Sequence, residues 1–355
     1  MYLIDPYGHE ELRAHLARRA ADGTLPASLL LQGPRGVGKQ RLALWLAQTL
    51  LCERVPRPCG SCRNCKYSRS LTHPDLHWYF PRPRLKDADP DLADVRDDHR
   101  EAIAERVANG GLYPPTPGTD GIYVATVRAI VQEAAISPAI ASRKVFVIGE
   151  ADRMVPQEGS EYAANAFLKL LEEPSQNTNL ILTSSEPGSL LPTIRSRTVT
   201  VRVPLLSESA VRGFLADPLA AAAVGAAGVG DSIDRVILAA GAPGNLLGDE
   251  SRGRALAAAR RLLEAARAKN DSVRHAVAMS VGASGSRGIF SEILDSLIIV
   301  LGERMRAALH ANDERGAAGA SRAAEAVGRA RLRASGNVNP QLITARLLRE
   351  LSSTL

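Results

Sequence analysis

A parallel α/β domain followed by all-helical ones is the architecture this sequence predicts, on three observations. Short apolar runs, such as Ser28-Leu29-Leu30-Leu31-Gln32 and Lys144-Val145-Phe146-Val147-Ile148, alternate with helical patterns up to about residue 205. Runs of this kind belong to strands buried on both faces. A Gly-rich turn, Gly33-Pro34-Arg35-Gly36-Val37-Gly38-Lys39-Gln40, separates the first strand from the first long helix. Beyond Ser207 the strand runs end and Ala-rich helical segments take over.

The elements follow in order. Residues 9–21 form an amphipathic helix with Leu12 and Leu16 on one face, and 28–32 the first buried strand. Residues 39–51 place Leu42, Trp45, Leu46 and Leu50 at helical spacing. Four cysteines follow within 52–65. Residues 81–121 change character, with Pro81, Pro83, Pro90, Pro114, Pro115 and Pro117 and eight acids from Asp87 to Glu105. A solvated surface excursion with one helix at 91–108 is expected there. Residues 122–135 lead into the strand at 144–148. A helix over about 160–172 stops at Pro174, and strands at 180–183 and 198–203 close the domain. Helical segments are expected at 207–226 and 231–240, broken from the rest by Gly241-Ala242-Pro243-Gly244. Others are expected at 251–268, 271–281, 287–311, 318–334 and 339–354.

With 355 residues, 45% apolar and 23% charged, the chain reads as globular, with two or three domains. No apolar stretch reaches the ~18 residues of a membrane span. The start, MYLIDPYGHEELR, has no signal-peptide core, so a cytoplasmic location is expected. The net charge of +6 is uneven: 251–355 hold 17 Lys+Arg against 9 Asp+Glu, whereas 1–250 hold 27 against 29. Only six of the 44 basic residues are Lys, a bias that need not mean nucleic-acid binding. A basic helical surface equally suits an acidic protein partner.

The Gly-rich turn follows G-x4-G-K-[ST] except at its last position. Gly33, Gly36 and Gly38 let backbone N–H groups curl around phosphate oxygens, and Lys39 can reach the outer phosphates. Gln40 stands where a hydroxyl would ligate Mg²⁺. The strand at 144–148 ends in Gly149-Glu150, so the acid that would hold the metal is missing, and Asp152 reads as a helix-start residue. Binding of ATP or ADP stays open, but hydrolysis by this chain is not expected.

Cys52-x6-Cys59-x2-Cys62-x2-Cys65 puts four thiolates in one short segment. That spacing points to a structural Zn²⁺ site rather than a disulfide framework, with an iron–sulfur cluster as the alternative, and Gly60, Arg63 and Asn64 give turns between ligands. His73 and His77 then remain as surface or packing residues. A further group combines the 164–174 helix ending Leu171-Glu172-Glu173-Pro174, Thr183 at a strand end, and the Ser196-Arg197 turn. Thr183 can sense a phosphate, and Arg197 can project a guanidinium into a neighbour's site.

These residues together resemble the bacterial sliding-clamp loaders of the AAA+ class, over most of 8–205. Gly8-His9-Glu10, the 33–40 loop, the cysteine spacing, Asn165–Pro174, Thr183 and Ser196-Arg197 carry the resemblance. Two kinds of family chain carry the zinc module: the ATPase motor, gamma or tau, and the delta-prime subunit, whose nucleotide site is commonly degraded. Gln40, Gly149 and the absence of an Arg near Gly244 align this sequence with delta-prime; Thr198 departs from the family's S-R-C turn.

The resemblance implies an AAA+ core (1–205) with the zinc module (52–66) and the insertion (81–121), a helical lid (206–250) and a helical collar (251–355). It implies a hetero-pentameric ring with gamma/tau and delta subunits that sets a sliding clamp on primer-template DNA. The chain would be a non-catalytic subunit of a DNA-directed DNA polymerase holoenzyme, a nucleotidyltransferase, offering Arg197 in trans. The other readings are the motor ATPase itself and a stand-alone zinc nucleic-acid-binding protein. Against the last, no groove-entering element stands beside the cysteines.

Overall fold

The computed structural model describes residues 2–87, 89–116, 119–154, 161–175, 177–226, 232–248, 250–268, 270–282, 287–334 and 339–354. Pro117 of the Pro-rich stretch, and Ser160 and Asp231 at the starts of two expected helices, lie outside them. The chain forms two compact units. One runs to Ala223 and includes Gly241–Leu247; the other holds Val224–Ala240 and the chain from Gly248 onward. The expected lid segment, 206–250, is thus divided between them.

The first unit contains α1 (Glu10–Ala21), β1 (Ser28–Gln32), α2 (Lys39–Leu51), α3 (Arg63–Arg69), β2 (Leu76–Tyr79), α4 (Leu92–Ala108), α5 (Val124–Ala134) and β3 (Lys144–Ile148). It continues with α6 (Glu161–Glu172), β4 (Thr178–Ser184), α7 (Pro192–Arg195), β5 (Val199–Arg202) and α8 (Glu208–Ala216); α9 (Pro218–Ala226) runs across the boundary. All strands are parallel, in the order β2-β3-β4-β1-β5. The register aligns Leu31 with Thr183, and Ile148 with both Leu182 and Tyr79. The carboxyl ends of four strands therefore lie side by side, where such sheets place their sites.

Side chains alternate along each strand and build two cores. Leu29, Leu31, Val145, Val147 and Ile181 pack with Leu42, Leu46 and Leu50 of α2 and Leu16 of α1. Leu30, Phe146, Ile148, Leu180 and Leu182 pack with Ala129 and Ile130 of α5 and Phe167, Leu170 and Leu171 of α6. Burial on both faces explains why the strands read as unbroken apolar runs.

Besides the single-turn α7, two elements were not expected from the sequence. The strand β2 is one, though Leu76, Trp78 and Phe80 alternate toward one core. The helix α3 is the other. Arg63 and Asn64, expected as turn residues, begin it, and Cys62 is its N-cap, its Sγ accepting the Cys65 N–H. His73 is buried and His77 stacks on Phe146 at 4.7 Å, so both are packing residues rather than surface ones. Buried Asp75, at the foot of β2, accepts the N–H groups of Ala139 (2.5 Å), Ile140 (2.9 Å) and Ala141 (2.8 Å). Burial works against its charge, but those donors prevail and hold its carboxyl below the usual range.

Within 81–121 the expected helix is present as α4, and the described residues pack as a layer rather than forming the solvated excursion expected. Val95, His99 and Ala102, at i, i+4 and i+7, form the buried face of α4, while Asp94, Asp97, Glu101 and Glu105 point to solvent. Arg82 grips Asp98 through two hydrogen bonds of 2.8 and 2.7 Å. Arg106 lays its guanidinium 3.4 Å from the Phe80 ring centre and 3.7 Å from that of Tyr113.

The second unit is helical: α10 (Ser232–Ala239), α11 (Glu250–Arg267), α12 (Asp271–Gly282), α13 (Arg287–His310), α14 (Glu314–Ala334) and α15 (Pro340–Ser352). Its core joins Ala255, Ala259, Leu262 and Leu263 to Leu294, Leu297 and Leu301, Ala323, Val327 and Ala330, and Leu347, Leu348 and Leu351. Spacings of three and four keep each set on one helix face. Among the described residues no helix is long and apolar enough to cross a membrane.

Candidate functional site

The Gly-rich loop joins β1 to α2, and its conformation follows from its glycines. Gly36 and Gly38 adopt φ of 80° and 88°, where a side chain would be strained. Around the loop lies a cavity of about 170 Å³, bounded by Leu3, Tyr7, His9, Val37, Tyr113 and Leu206 among others. Tyr7 donates to Asp217 at 2.8 Å; burial, then that hydrogen bond, pushes its hydroxyl pKa up to about 12. His9 Nε2 lies 3.1 Å from the Val37 carbonyl.

Lys39 does not point its charge into open space. Its ammonium donates to Gly33 O (2.9 Å), Pro34 O (2.7 Å) and Ser185 Oγ (2.8 Å). An ammonium has three donors, and all three are used. Burial pulls its pKa down to about 8, against the opposing pull of Asp152 and Glu150.

Gln40 is equally committed. Its Oε1 accepts the Trp78 indole N–H at 3.0 Å, and its Nε2 donates to Glu150 Oε1 at 3.4 Å. An indole only donates and a carboxylate only accepts, so the amide has one orientation. A Cβ added at Gly149 would lie 2.3 Å from Gln40 Oε1, so a side chain there must displace the amide. The two departures from the metal-binding pattern therefore fit each other.

Gly244 makes a third. Its N–H donates to Gly36 O at 2.9 Å, and a Cβ on it would stand 2.9 Å from that carbonyl oxygen. A phosphate-sensing Arg at Gly244 does not fit this close approach. The residues present thus do not suit a Mg²⁺–nucleotide: the lysine is spent, the hydroxyl ligand is absent, and no carboxylate stands at Gly149.

Glu150 adopts a left-handed backbone, φ 49° and ψ 52°. Its N–H donates to Thr183 Oγ1 at 3.0 Å, so buried Thr183 positions this strand end. Its carboxylate accepts from Thr116 Oγ1 at 2.7 Å and faces Arg153 at 3.1 Å. Asp152, expected to start a helix, stands in the first turn of the short 3-10 helix Ala151–Arg153 and accepts the Ser185 N–H at 3.2 Å, beyond the end of β4. Trp78, Thr116 and Ser185 are site residues that sequence reasoning missed. No motif marks them, and they come from three separate segments.

The four cysteines converge. Their Sγ atoms all lie within 4.8 Å of one another, with Cys52–Cys62 and Cys59–Cys65 both at 3.9 Å. Four sulfurs at ~2.3 Å from zinc would be separated by ~3.8 Å. Backbone N–H groups of Cys59, Cys62 and Cys65 each donate to the preceding cysteine's sulfur at 3.4 Å. Asn64 ties the segment to α2 by donating to Leu51 O at 2.9 Å. The N–H groups of Cys62 and Ser61 draw the Cys59 thiol down to about 6, while burial pushes Cys65 up to about 12. All four thiols are free and suit a thiophilic dication, which would deprotonate them outright.

Arg197 does not line the cavity. It is held by Glu172 of α6, Nε to Oε1 at 2.6 Å, and donates to Thr193 O at 3.0 Å.

A five-stranded parallel sheet with a Gly-rich phosphate-type loop after β1 and a four-cysteine module beside α2 defines a P-loop-type α/β protein. Comparison with known proteins narrows this. The family profile described as "DNA polymerase III, delta subunit" matches residues 8–207. The chain belongs to that family. It is 34% identical over 192 residues to the DNA polymerase III subunit delta' of Pseudomonas aeruginosa, covering 54% of this chain and 47% of that one. It is 31% identical to the subunit delta' of Bacillus subtilis, covering 54% and 46%. The DNA polymerase III subunit gamma/tau of Mycobacterium tuberculosis (H37Rv) is 30% identical over 211 residues, covering 59% and 30%. The chain spans about half the length of the delta' relatives, and less of the gamma/tau one.

Proposed function

We propose that this chain is a delta-prime-like subunit of a DNA polymerase III clamp loader, acting in DNA replication without hydrolysing ATP itself. One observation carries the reading: the nucleotide cleft is satisfied from within. Lys39 has no donor left for a phosphate, and the Gln40 amide is locked between Trp78 and Glu150. Gly33, Gly36, Gly38, Lys39, Gln40 and Thr183 are then the remnant of a nucleotide site. Cys52, Cys59, Cys62 and Cys65 would hold structural zinc, whose chemistry here is to cross-link the 52–66 segment.

In this reading the chain joins gamma/tau and delta subunits in a hetero-pentameric ring that places a sliding clamp on primed DNA. The second unit provides the collar by which subunits assemble, and Arg197 acts on ATP bound by a neighbour. A guanidinium forks onto phosphate oxygens better than an ammonium does. In the free chain Glu172 holds it, so presentation in trans requires that exposed ion pair to open. Such a pair is worth only ~0–1 kcal/mol.

The gamma/tau likeness supports a second reading, a motor that hydrolyses its own ATP. ATP turnover by the isolated chain separates the two: background rates support the first, robust Mg²⁺-dependent hydrolysis the second. Co-purification with gamma/tau and delta tests the ring. Arg197→Ala should assemble normally yet lower DNA-stimulated hydrolysis by the ring, where an arginine finger is worth ~10³–10⁵ in rate, and Arg197→Lys should recover it only partly. Wild-type clamp loading by the alanine variant would end the finger role.

A further inference from the structure

Thr116 sits where three parts of the cleft meet, and it comes from the packed insertion rather than from any nucleotide motif. Its side chain is buried, and its hydroxyl donates to Glu150 Oε1 at 2.7 Å. Its carbonyl accepts from Arg35 of the Gly-rich loop and from Arg153 after β3, each at 3.3 Å. The same Glu150 oxygen takes the Gln40 amide, which Trp78 holds from the other side. One network thus links the loop, the start of α2, the end of β2 and the turn after β3.

In a loaded P-loop protein, metal and phosphates bridge the loop, the helix start and the acid after a neighbouring strand. Here protein groups bridge those same places. Several of the bonds involve a charged partner and are correspondingly strong. Tyr113, three residues before Thr116, is clamped by Arg106 of α4, so the segment is anchored in the insertion's own packing.

We propose that the 112–116 segment is an internal brace standing in for a metal–nucleotide: Thr116 ties Arg35, Glu150 and Arg153 together, keeps the Gly-rich loop in place, and must be released before a Mg²⁺–nucleotide can enter. This rests on the reading of the cleft as non-hydrolysing and extends it, giving the insertion a role. Thr116 is a positioning residue, acting through Glu150 and Arg35.

The test uses thermal melting of the full chain, with and without saturating Mg²⁺–ADP, and direct titration with a fluorescent ADP. Thr116→Ala should lower the melting midpoint by about 3–6 °C, and Thr116→Ser should restore most of it. The unmodified chain should show no midpoint shift with Mg²⁺–ADP. Gln40→Thr with Gly149→Asp and Thr116→Ala should gain an upward shift of about 5 °C with saturating ligand. The same chain with Thr116 retained should bind at least tenfold more weakly. The brace is overturned if Thr116→Ala melts like the unmodified chain, if serine does not rescue, if the two engineered chains bind ADP equally, or if the unmodified chain is stabilised by Mg²⁺–ADP. Robust hydrolysis by the unmodified chain would remove the delta-prime reading; failure to enter the ring would do so while leaving the serine rescue intact.

Discussion

The cleft around the Gly-rich loop and the cysteine module lie at opposite ends of the same helix, α2, and they stand in opposite states. In the cleft, the ammonium of Lys39, the amide of Gln40 and the carboxylate of Glu150 all find partners within the chain. In the module, four sulfurs converge within 4.8 Å, met by backbone N–H groups at 3.4 Å and by the Ser61 hydroxyl at 3.8 Å. A motif names the ligand a site is built around; the satisfaction of its polar groups tells whether that ligand is still needed. On the reading proposed above, the cysteine module still calls for a metal ion, and the nucleotide loop has replaced its ligand with groups of the chain.

The largest expected effect falls on the module. Purified protein should carry about one zinc per chain by elemental analysis, because structural zinc contributes on the order of 10 kcal/mol to ordering a small site. Cys62→Ser should abolish stoichiometric zinc and loosen 52–66, visible as rapid amide exchange there, with the sheet largely intact. Metal-free protein with that segment fully protected would erase the contrast.

Acid sharpens the comparison next. Burial pulls His77 down to about 4 from its ordinary 6.5. Below pH 6.5 the unfolded chain takes up a proton that the folded chain refuses until about pH 4. Stability is therefore full above pH 6.5 and falls as pH drops through that window, by about 3 kcal/mol in the limit. If the cysteines hold zinc as proposed, its loss on thiol protonation would add to the same pH dependence. Denaturant melts of His77→Phe against the unmodified chain, both stripped of metal, should isolate the histidine part as a flatter slope between pH 4 and 6.5. Equal slopes would show that His77 plays no part.

Trp78→Phe probes the cleft directly. It keeps an aromatic ring, though a smaller one, and leaves the Gln40 amide oxygen without its donor, at a cost of at least about 1–3 kcal/mol in unfolding free energy from denaturant melts. Gly149→Asp alone should also destabilise, since it displaces the same amide, and Gln40→Thr should relieve it. A coupling of about 0.5–3 kcal/mol in that double-mutant cycle is expected, and strict additivity would mean the two departures are independent. The smallest effect belongs to Arg197→Ala, which should move the free chain's stability by no more than ~1 kcal/mol because its ion pair with Glu172 is partly exposed. A large loss would make Arg197 a structural residue.

Legibility varied with how local the governing physics was. The helix at 39–51 and the strands at 28–32 and 144–148 were readable because burial on both faces leaves unbroken apolar runs. The strand at 76–79 was missed because it is short and carries His77 among its apolar residues. The helix at 63–69 was hidden by its place among metal ligands, where turns are the ordinary expectation. The insertion at 81–121 looked solvated because its acids dominate the composition, yet Val95, His99 and Ala102 form a stripe that only a facing surface reveals as buried.

By itself, the sequence determined the parallel α/β class, the phosphate-type loop, the cysteine ligand set and the departures at Gln40, Gly149 and Gly244. Each of these rests on residue type at short, fixed spacing. Only the tertiary structure decided what the departures accomplish. Trp78 lies 38 positions from Gln40, Thr116 lies 34 from Glu150, and Ser185 lies 146 from Lys39. Whether a buried amide, carboxylate or ammonium is satisfied depends on which distant donors and acceptors the fold brings within about 3 Å, and spacing along the chain carries no record of that.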